Sequence, residues 1–331
     1  MSLLRISILS LIILFILSGF SLLSYRNSEP AEIIKGIVEQ GPVNKNALNQ
    51  VLGKEEGEEG DTTVLMATGD VLLARSVNGQ IDKRKDPTWP FHNVKNILTS
   101  ADITLVNLEN PLIEKCPLSS EGFKFCGNTS NIDGLLYAGV DVVNIANNHT
   151  NNYGYDGVVQ TINALSEKGF LISGTDEQPV YKIVNGIKFS FLGFNDIGPV
   201  ERGLAFADEN SIKEKIAVAK QNSDVVIVSF HWGIEYTSEP NDRQKQLAHS
   251  AIDSGADLII GNHPHWEQSE EYYKGKFIKY SHGNFVFDQM WSEETRKGVV
   301  GKYTFKNNIL EKVEMIPIYI QNYGQPEVVS K

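Results

Sequence analysis

Residues 224–233 read D-V-V-I-V-S-F-H-W-G, and residues 257–265 read D-L-I-I-G-N-H-P-H. In each stretch an acidic residue opens a short apolar run, and imidazoles close it. Runs of this length, rich in β-branched residues and bounded by Gly and Pro, read as buried strands. His231 and the pair His263 and His265 then sit just past a strand's carboxyl end. Open α/β sheets bind ligands there, in the crevice outside the strand C-termini. The pattern recurs earlier. T-V-L-M-A-T-G ends at Asp70, I-T-L-V-N-L at Glu109, and V-D-V-V-N-I-A at Asn147-Asn148-His149. Five strands thus bring Asp, Glu, Asn and His to one edge, a ligand set for divalent metals.

Each of these residues has a plain structural role when taken alone. Asp70 follows Gly69 and suits a turn or helix cap. Glu109 suits a surface. Asn148 and His149 suit a loop held by side-chain bonds. A lone His231 is most simply a hydrogen-bonded core histidine. Strand ends need only caps and turns, so five such residues at equivalent positions point instead to a joint metal site. In His263-Pro264-His265 an extended backbone points residues i and i+2 the same way, and proline stiffens that presentation.

Outside the strands the chain divides into three parts. The run from Ile6 to Tyr25 carries no charge and is long enough to cross a hydrocarbon core. Residues 1–25 are therefore expected to be a transmembrane anchor or a signal sequence. No A-x-A-like cleavage site follows, which favours the anchor. Arg5 and Arg26 flank the run and give little orientation bias. Residues 26–61 are polar, with the acidic run Lys54 to Gly60, and read as a solvated linker. Residues 62–331 are expected to form the folded domain, on the extracytoplasmic side of a single-pass membrane protein. A net charge of −11 argues against nucleic acid as a partner, because phosphate neutralisation needs a basic face. Cys116 and Cys126 are the only cysteines, and in an exported chain they are expected to pair.

Helical periodicity predicts helices over 93–100, 132–138, 156–168, 211–221 and 242–254. Asn241 is the N-cap candidate of the last and Gly255 its stop. Val158, Ile162 and Leu165 recur at helical spacing and should face a sheet. After Phe277 the pattern turns strand-rich. This mixture predicts an α/β fold with two sheets sandwiched between helices. No P-loop, G-x-S-x-G or G-x-G-x-x-G pattern occurs, which disfavours nucleotide-driven ligase, serine hydrolase and dinucleotide chemistry.

The series Gly69-Asp70 with Arg75, Asn107-Leu108-Glu109, Ala146 to His149, Phe230 to Gly233, Gly261 to His265 with Gln268, and Tyr280 to Gln289 resembles the CapA family of capsule-synthesis proteins. The resemblance runs from Thr62 to about Pro326. It implies a four-layer αββα metallophosphatase-like sandwich, similar to calcineurin-like metallophosphoesterases with a dimetal site. By position it implies Asp70, Glu109, Asn148, His231, His263 and His265 as metal ligands. Glu109 stands as the bridging carboxylate, His231 and His263 serve one ion, and His265 serves the other. It implies one or two divalent ions of the Mn, Zn or Fe class. His149 is implied to assist the leaving group, and Arg75 is the candidate to hold an anionic oxygen. Three positions depart from the pattern. Leu72 stands where the first motif of the phosphoesterases carries a histidine, two residues after its Asp. Asn152 replaces an Asp expected after Asn-Asn-His. His282 replaces a usual Leu, and is read as packing near the site rather than as a ligand.

Three functions follow as expectations. The first is an exported, membrane-anchored accessory of capsule or poly-γ-glutamate synthesis, with a polymer synthase or ligase and export subunits as partners. The second is a metal-dependent hydrolase acting on a phosphoester or amide at the cell envelope, with an anionic polymer or a phosphoester as substrate and metal ions lowering the pKa of water. The third is a binding module without catalysis.

Overall fold

The computed structural model describes residues 62–330. The expected anchor or signal (1–25) and linker (26–61) lie outside the described residues. Among the described residues no helix is long and apolar enough to cross a membrane.

In chain order the strands are β1 (Thr62–Val71), β2 (Ile103–Leu108), β3 (Leu112–Ile113), β4 (Gly127–Asn128), β5 (Val142–Asn144), β6 (Leu171–Ser173), β7 (Val180–Val184) and β8 (Ile187–Asn195). They continue as β9 (Val225–His231), β10 (Leu258–Asn262), β11 (Glu270–Tyr273), β12 (Lys276–Lys279), β13 (Asn284–Val286), β14 (Lys297–Lys306), β15 (Ile309–Gln321) and β16 (Gln325–Val328). The helices are α1 (Arg75–Arg84), α2 (Lys95–Leu98), α3 (Ile132–Tyr137), α4 (Gly154–Glu167), α5 (Glu209–Asn222) and α6 (Asp242–Asp253).

The first sheet runs β16-β15-β14-β1-β2-β5-β6, with β13 also paired to β1. The second runs β11-β12-β10-β9-β8-β7. In both, parallel strands fill one continuous stretch, β1-β2-β5-β6 and β12-β10-β9-β8; antiparallel strands close both edges of the second sheet and the β16 edge of the first, whose other edge is the parallel β6. A β-strand alternates its side chains between faces, and here both faces are buried, so the runs are apolar throughout. On β1, Leu65 and Ala67 face the second sheet and Met66 faces the helices. On β9, Val225 and Ile227 face the first sheet, while Val226, Val228 and Phe230 face α5 and α6. Leu65, Leu105 and Val142 meet Phe189, Phe191, Ile227 and Ile260 between the sheets. α1, α3 and α4 cover the first sheet's outer face, and α5 and α6 cover the second's. The layering is helix, sheet, sheet, helix. Truncating a chain in the middle layer, such as Ile227→Ala, should cost about 2–5 kcal/mol.

Sequence periodicity places α3, α4, α5 and α6 to within about two residues, the usual uncertainty of helix ends. Asn241 caps α6 in a capping box with Gln244. Asp208 caps α5 through the backbone N–H groups of Asn210 and Ser211. The helix expected over 93–100 shrinks to the single turn of α2, preceded by a 3-10 turn at Trp89–Phe91. α1 is not among the expected helices. Its face toward the core consists only of Val77, Asn78 and Ile81, and Gly79 interrupts it.

Two glycines permit close strand approach. A Cβ on Gly69 would lie 2.1 Å from the Gly283 carbonyl oxygen, and one on Gly261 would lie 2.0 Å from that of Tyr280. Both sit one residue before a polar strand-end residue, Asp70 or Asn262. Register then aligns those ends. Asp70 pairs with Asn107 and Asn284, and Asn107 pairs with Asn144. In the second sheet His231 stands between Asn195 and Asn262.

Candidate metal centre

The polar strand ends of both sheets meet in one buried cluster. Asp70, Glu109, His231, His263 and His265 are all buried, as is His149 at its edge. The Nε2 atoms of His149, His231 and His265 lie 3.9, 3.8 and 3.8 Å from one oxygen of Glu109. His231 Nδ1 is 3.9 Å from Asp70 Oδ1, and His265 Nδ1 is 3.4 Å from Asp70 Oδ2. His263 Nδ1 stands 3.2 Å from His231 Nε2, and Asn148 Oδ1 stands 2.8 Å from that same nitrogen. Two groups of three side chains have the spacing to hold a metal ion: Asp70, Glu109 and His231, and Glu109, His263 and His265. Glu109 belongs to both. All six expected ligands are therefore brought together. The two groups place His263 with His265 and His231 with Asp70, whereas the resemblance implies His231 and His263 on one ion and His265 on the other.

Neither oxygen of Glu109 has a hydrogen-bond partner. A buried carboxylate without donors is costly, by several kcal/mol if charged. Burial pushes its pKa well up, and Asp70 and then Glu235 push it further, against a smaller opposing effect of Arg75. The imidazoles respond in the other direction. Burial, reinforced by His263 and His265, holds His231 well below its usual range. Burial brings His263 down to about 3 and His149 down to about 4. Neutral imidazoles offer lone pairs, and an unpartnered carboxylate calls for positive charge. A divalent cation satisfies both, so the residues present fit such an ion.

A ring of asparagines orients these groups. Asn107 Nδ2 donates to Asp70 Oδ1 at 2.7 Å and lies 3.2 Å from His231 Nδ1, while its Oδ1 accepts from Asn144 at 2.9 Å. Asn284 Nδ2 donates to the Thr295 carbonyl at 2.9 Å, which turns its Oδ1 toward His265 Nδ1 at 2.9 Å. That bond puts the proton on Nδ1 and frees Nε2 to face Glu109. The His263 backbone N–H donates to Asp70 Oδ2 at 3.1 Å. Asn107, Asn144 and Asn284 do not stand out in the sequence as site residues. Asn107 and Asn144 close apolar strands and Asn284 opens β13, and only register with Asp70 joins them.

The structure corrects or completes several sequence expectations. His263-Pro264-His265 is not extended, since His263 and His265 have φ of 95° and 58°. The backbone bends at both residues, and the bends aim the rings at the cluster, with centroids 5.8 Å apart. Positive φ at non-glycine residues is strained and clusters at functional sites. Leu72 is buried in the helix-side core, so no side chain from that position reaches the cluster. His282 is buried and turned to other partners, with Nδ1 3.2 Å from the Gly261 carbonyl and Nε2 2.9 Å from the Tyr303 hydroxyl. It packs, as expected. Arg75 is ion-paired to Asp288, and its guanidinium carbon sits 4.5 Å over the Phe125 ring. It borders the cluster, close enough to act on Glu109 and His149.

Cys116 and Cys126 form a disulfide, with Cα atoms 5.9 Å apart. The stapled loop hangs from the β3-β4 pair and carries Phe125, whose ring stacks on His149 at 4.0 Å.

The sequence model of one family, described as bacterial capsule synthesis protein PGA_cap, matches residues 64–289. The chain belongs to this family. Among its relatives, the PGA biosynthesis protein CapA of Bacillus subtilis (strain 168) is 33% identical over 279 residues, spanning 80% of this chain and 73% of that protein. The capsule biosynthesis protein CapA of Bacillus anthracis is 32% identical over 293 residues, spanning 82% and 71%. A solved structure described as a novel phosphatase from Mycoplasma pneumoniae superposes with a TM-score of 0.55 at 14% identity, over 80% of this chain and 95% of that one. A hypothetical protein from Thermus thermophilus superposes with a TM-score of 0.51 at 14% identity, over 77% and 98%. These likenesses establish a metallophosphatase-like fold for this capsule-synthesis chain. The family match covers β1 to β13 and so includes the whole cluster.

Proposed function

We propose that this member of the capsule family serves poly-γ-glutamate or related anionic-polymer synthesis at the outer face of the cell membrane, through hydrolytic chemistry at a divalent-metal centre. One observation carries the reading: a fully buried Glu109 with both oxygens unpartnered, ringed by imidazoles at 3.8–3.9 Å. Asp70, Glu109, Asn148, His231, His263 and His265 would hold the metal, of the Mn, Zn or Fe class given mixed nitrogen and oxygen donors. When bound, such ions lower the pKa of water and neutralise charge developing on a phosphoryl or carbonyl oxygen. The chain's own residues do the rest. His149 turns Nε2 to the cluster and exchanges a proton with the reacting group. Arg75, ion-paired to Asp288, supplies fixed positive charge at the rim. Phe125 shields one face of His149 from water.

The uncharged run over 6–25 supports an anchor holding the domain outside the membrane, and the polar linker supports reach away from it. A synthase or ligase and export subunits are the expected partners, and the substrate is a phosphoester or an amide of an anionic polymer.

The test is a hydrolysis screen of the purified protein against phosphodiesters and poly-γ-glutamate, with and without chelator. Turnover should be lost with chelator. It should fall by about 10²–10⁴-fold in His149→Ala, the usual range for a missing acid–base group. Wild-type protein loaded with metal yet inert on both substrate classes would contradict the catalytic part and leave a non-hydrolytic role in polymer synthesis.

A further inference from the structure

His149 is held by a chain of contacts that starts in the stapled loop. The Phe125 backbone N–H donates to Asn152 Oδ1 at 2.7 Å. A backbone N–H is only ever a donor, so the Asn152 atom facing it must be the oxygen. That same oxygen lies 3.1 Å from His149 Nδ1. An amide oxygen cannot donate, so Nδ1 must carry the proton. The Phe125 ring stacked at 4.0 Å and 28° prevents the imidazole from turning over. The other nitrogen, Nε2, then faces Glu109 Oε1 at 3.9 Å.

We propose that Asn152 is a positioning residue that locks His149 in the Nδ1–H tautomer and presents an unprotonated Nε2 to the cluster. In the neutral ring of this tautomer Nε2 has no proton to give. His149 therefore enters the reaction as a proton acceptor. An O–H bond of the attacking group breaks and an N–H bond forms at Nε2. The imidazolium later returns that proton to the leaving oxygen or nitrogen, so the ring ends as it began. An Asp at this position would add a negative charge and favour the imidazolium; the neutral Asn152 amide fixes the tautomer without adding charge. The mechanistic consequence rests on the cluster being a reaction site, whereas the tautomer does not, and it is read directly.

The experiment is nitrogen NMR of full-length, chelator-treated protein labelled with 15N-histidine. His149 signals are assigned by their loss in His149→Gln. Wild type should show a pyrrole-like Nδ1 and a pyridine-like Nε2. Asn152→Leu should mix the tautomers, while Asn152→Asp should restore the Nδ1–H form and raise the pH at which His149 takes up its second proton. A purely structural role for Asn152 would leave the tautomer unchanged in a folded Asn152→Leu protein. A pyrrole-like Nε2 in wild type would overturn the proposal. So would an unchanged tautomer in a folded Asn152→Leu protein. If Asn152→Leu does not fold, the wild-type tautomer still decides, because a pyrrole-like Nε2 there contradicts the lock. Loss of hydrolysis with the tautomer intact would count against the reaction site and not against Asn152.

Discussion

At the scale of single residues, Glu109 and His282 are both buried titratable groups, and they behave differently because one has partners and the other does not. Glu109 destabilises the metal-free protein, since its carboxylate has no donor and stands beside Asp70. Glu109→Gln removes the charge at constant shape. Its metal-free form should therefore melt above the metal-free wild type, and chelator should no longer shift its melting. The wild type should lose about 3–4 kcal/mol on chelation, the linkage expected for metal at roughly 100–1,000 times its dissociation constant. Thermal melts with and without chelator check this; a chelator shift retained in Glu109→Gln would count against it. His282 is satisfied by Gly261 and Tyr303, and burial holds it neutral, at about 3. The unfolded chain binds its proton near pH 6.5, so the unfolded state holds more protons between about 6.5 and 3. Stability is thus lost as pH falls through that window, by roughly 1.4 kcal/mol per pH unit from this residue. His282→Leu combined with Tyr303→Phe leaves no polar atom of the pair unpaired and should flatten the acid limb by that amount. Denaturant titrations at about pH 6.5, 5.5 and 4.5, spanning that window, measure it. Parallel curves for the two proteins would contradict the assignment.

At the scale of elements, legibility followed burial. β1, β2, β9 and β10 are readable because parallel strands buried on both faces must be apolar throughout, and a polar residue ending such a run is conspicuous. That is how Asp70, Glu109, His231 and His263 could be found. α1 is not readable, because only Val77, Asn78 and Ile81 of its ten residues are buried and its pattern is too thin to show. His263-Pro264-His265 reads as extended and is not. Left-handed backbone at two histidines is a product of tertiary packing and leaves no local signal. The asparagine ring is silent in sequence because Asn107 and Asn284 matter through partners far along the chain. The Cys116–Cys126 pairing is legible from compartment and count, but its purpose is not. The staple fixes the loop whose Phe125 covers His149. Replacing both cysteines by serine should cost about 2–3 kcal/mol for a loop of this size. It should also lower hydrolysis through a less ordered His149, with metal content retained. Equilibrium unfolding and elemental analysis of the double variant separate those effects; loss of metal with the disulfide would contradict a role confined to the loop.

At the scale of the domain, two sheets converge their strand ends on one buried cluster, and residues from six strands and the loops beside them meet there. β1 enters the sheet at Thr62 and runs toward the cluster. With the anchor proposed over 1–25, the full-length protein should sediment with membranes and resist carbonate extraction, and protease added to protoplasts should release the domain. A soluble product trimmed of its first residues would show a cleaved signal instead.

The central claim is that the buried cluster around Glu109 holds divalent metal. Elemental analysis of purified full-length protein, wild type beside His263→Ala/His265→Ala, tests it most directly. The wild type should carry up to two equivalents of a divalent transition metal, and the variant, still folded by circular dichroism, should carry almost none. Equal metal in the two proteins, or none in the wild type after loading, would contradict it.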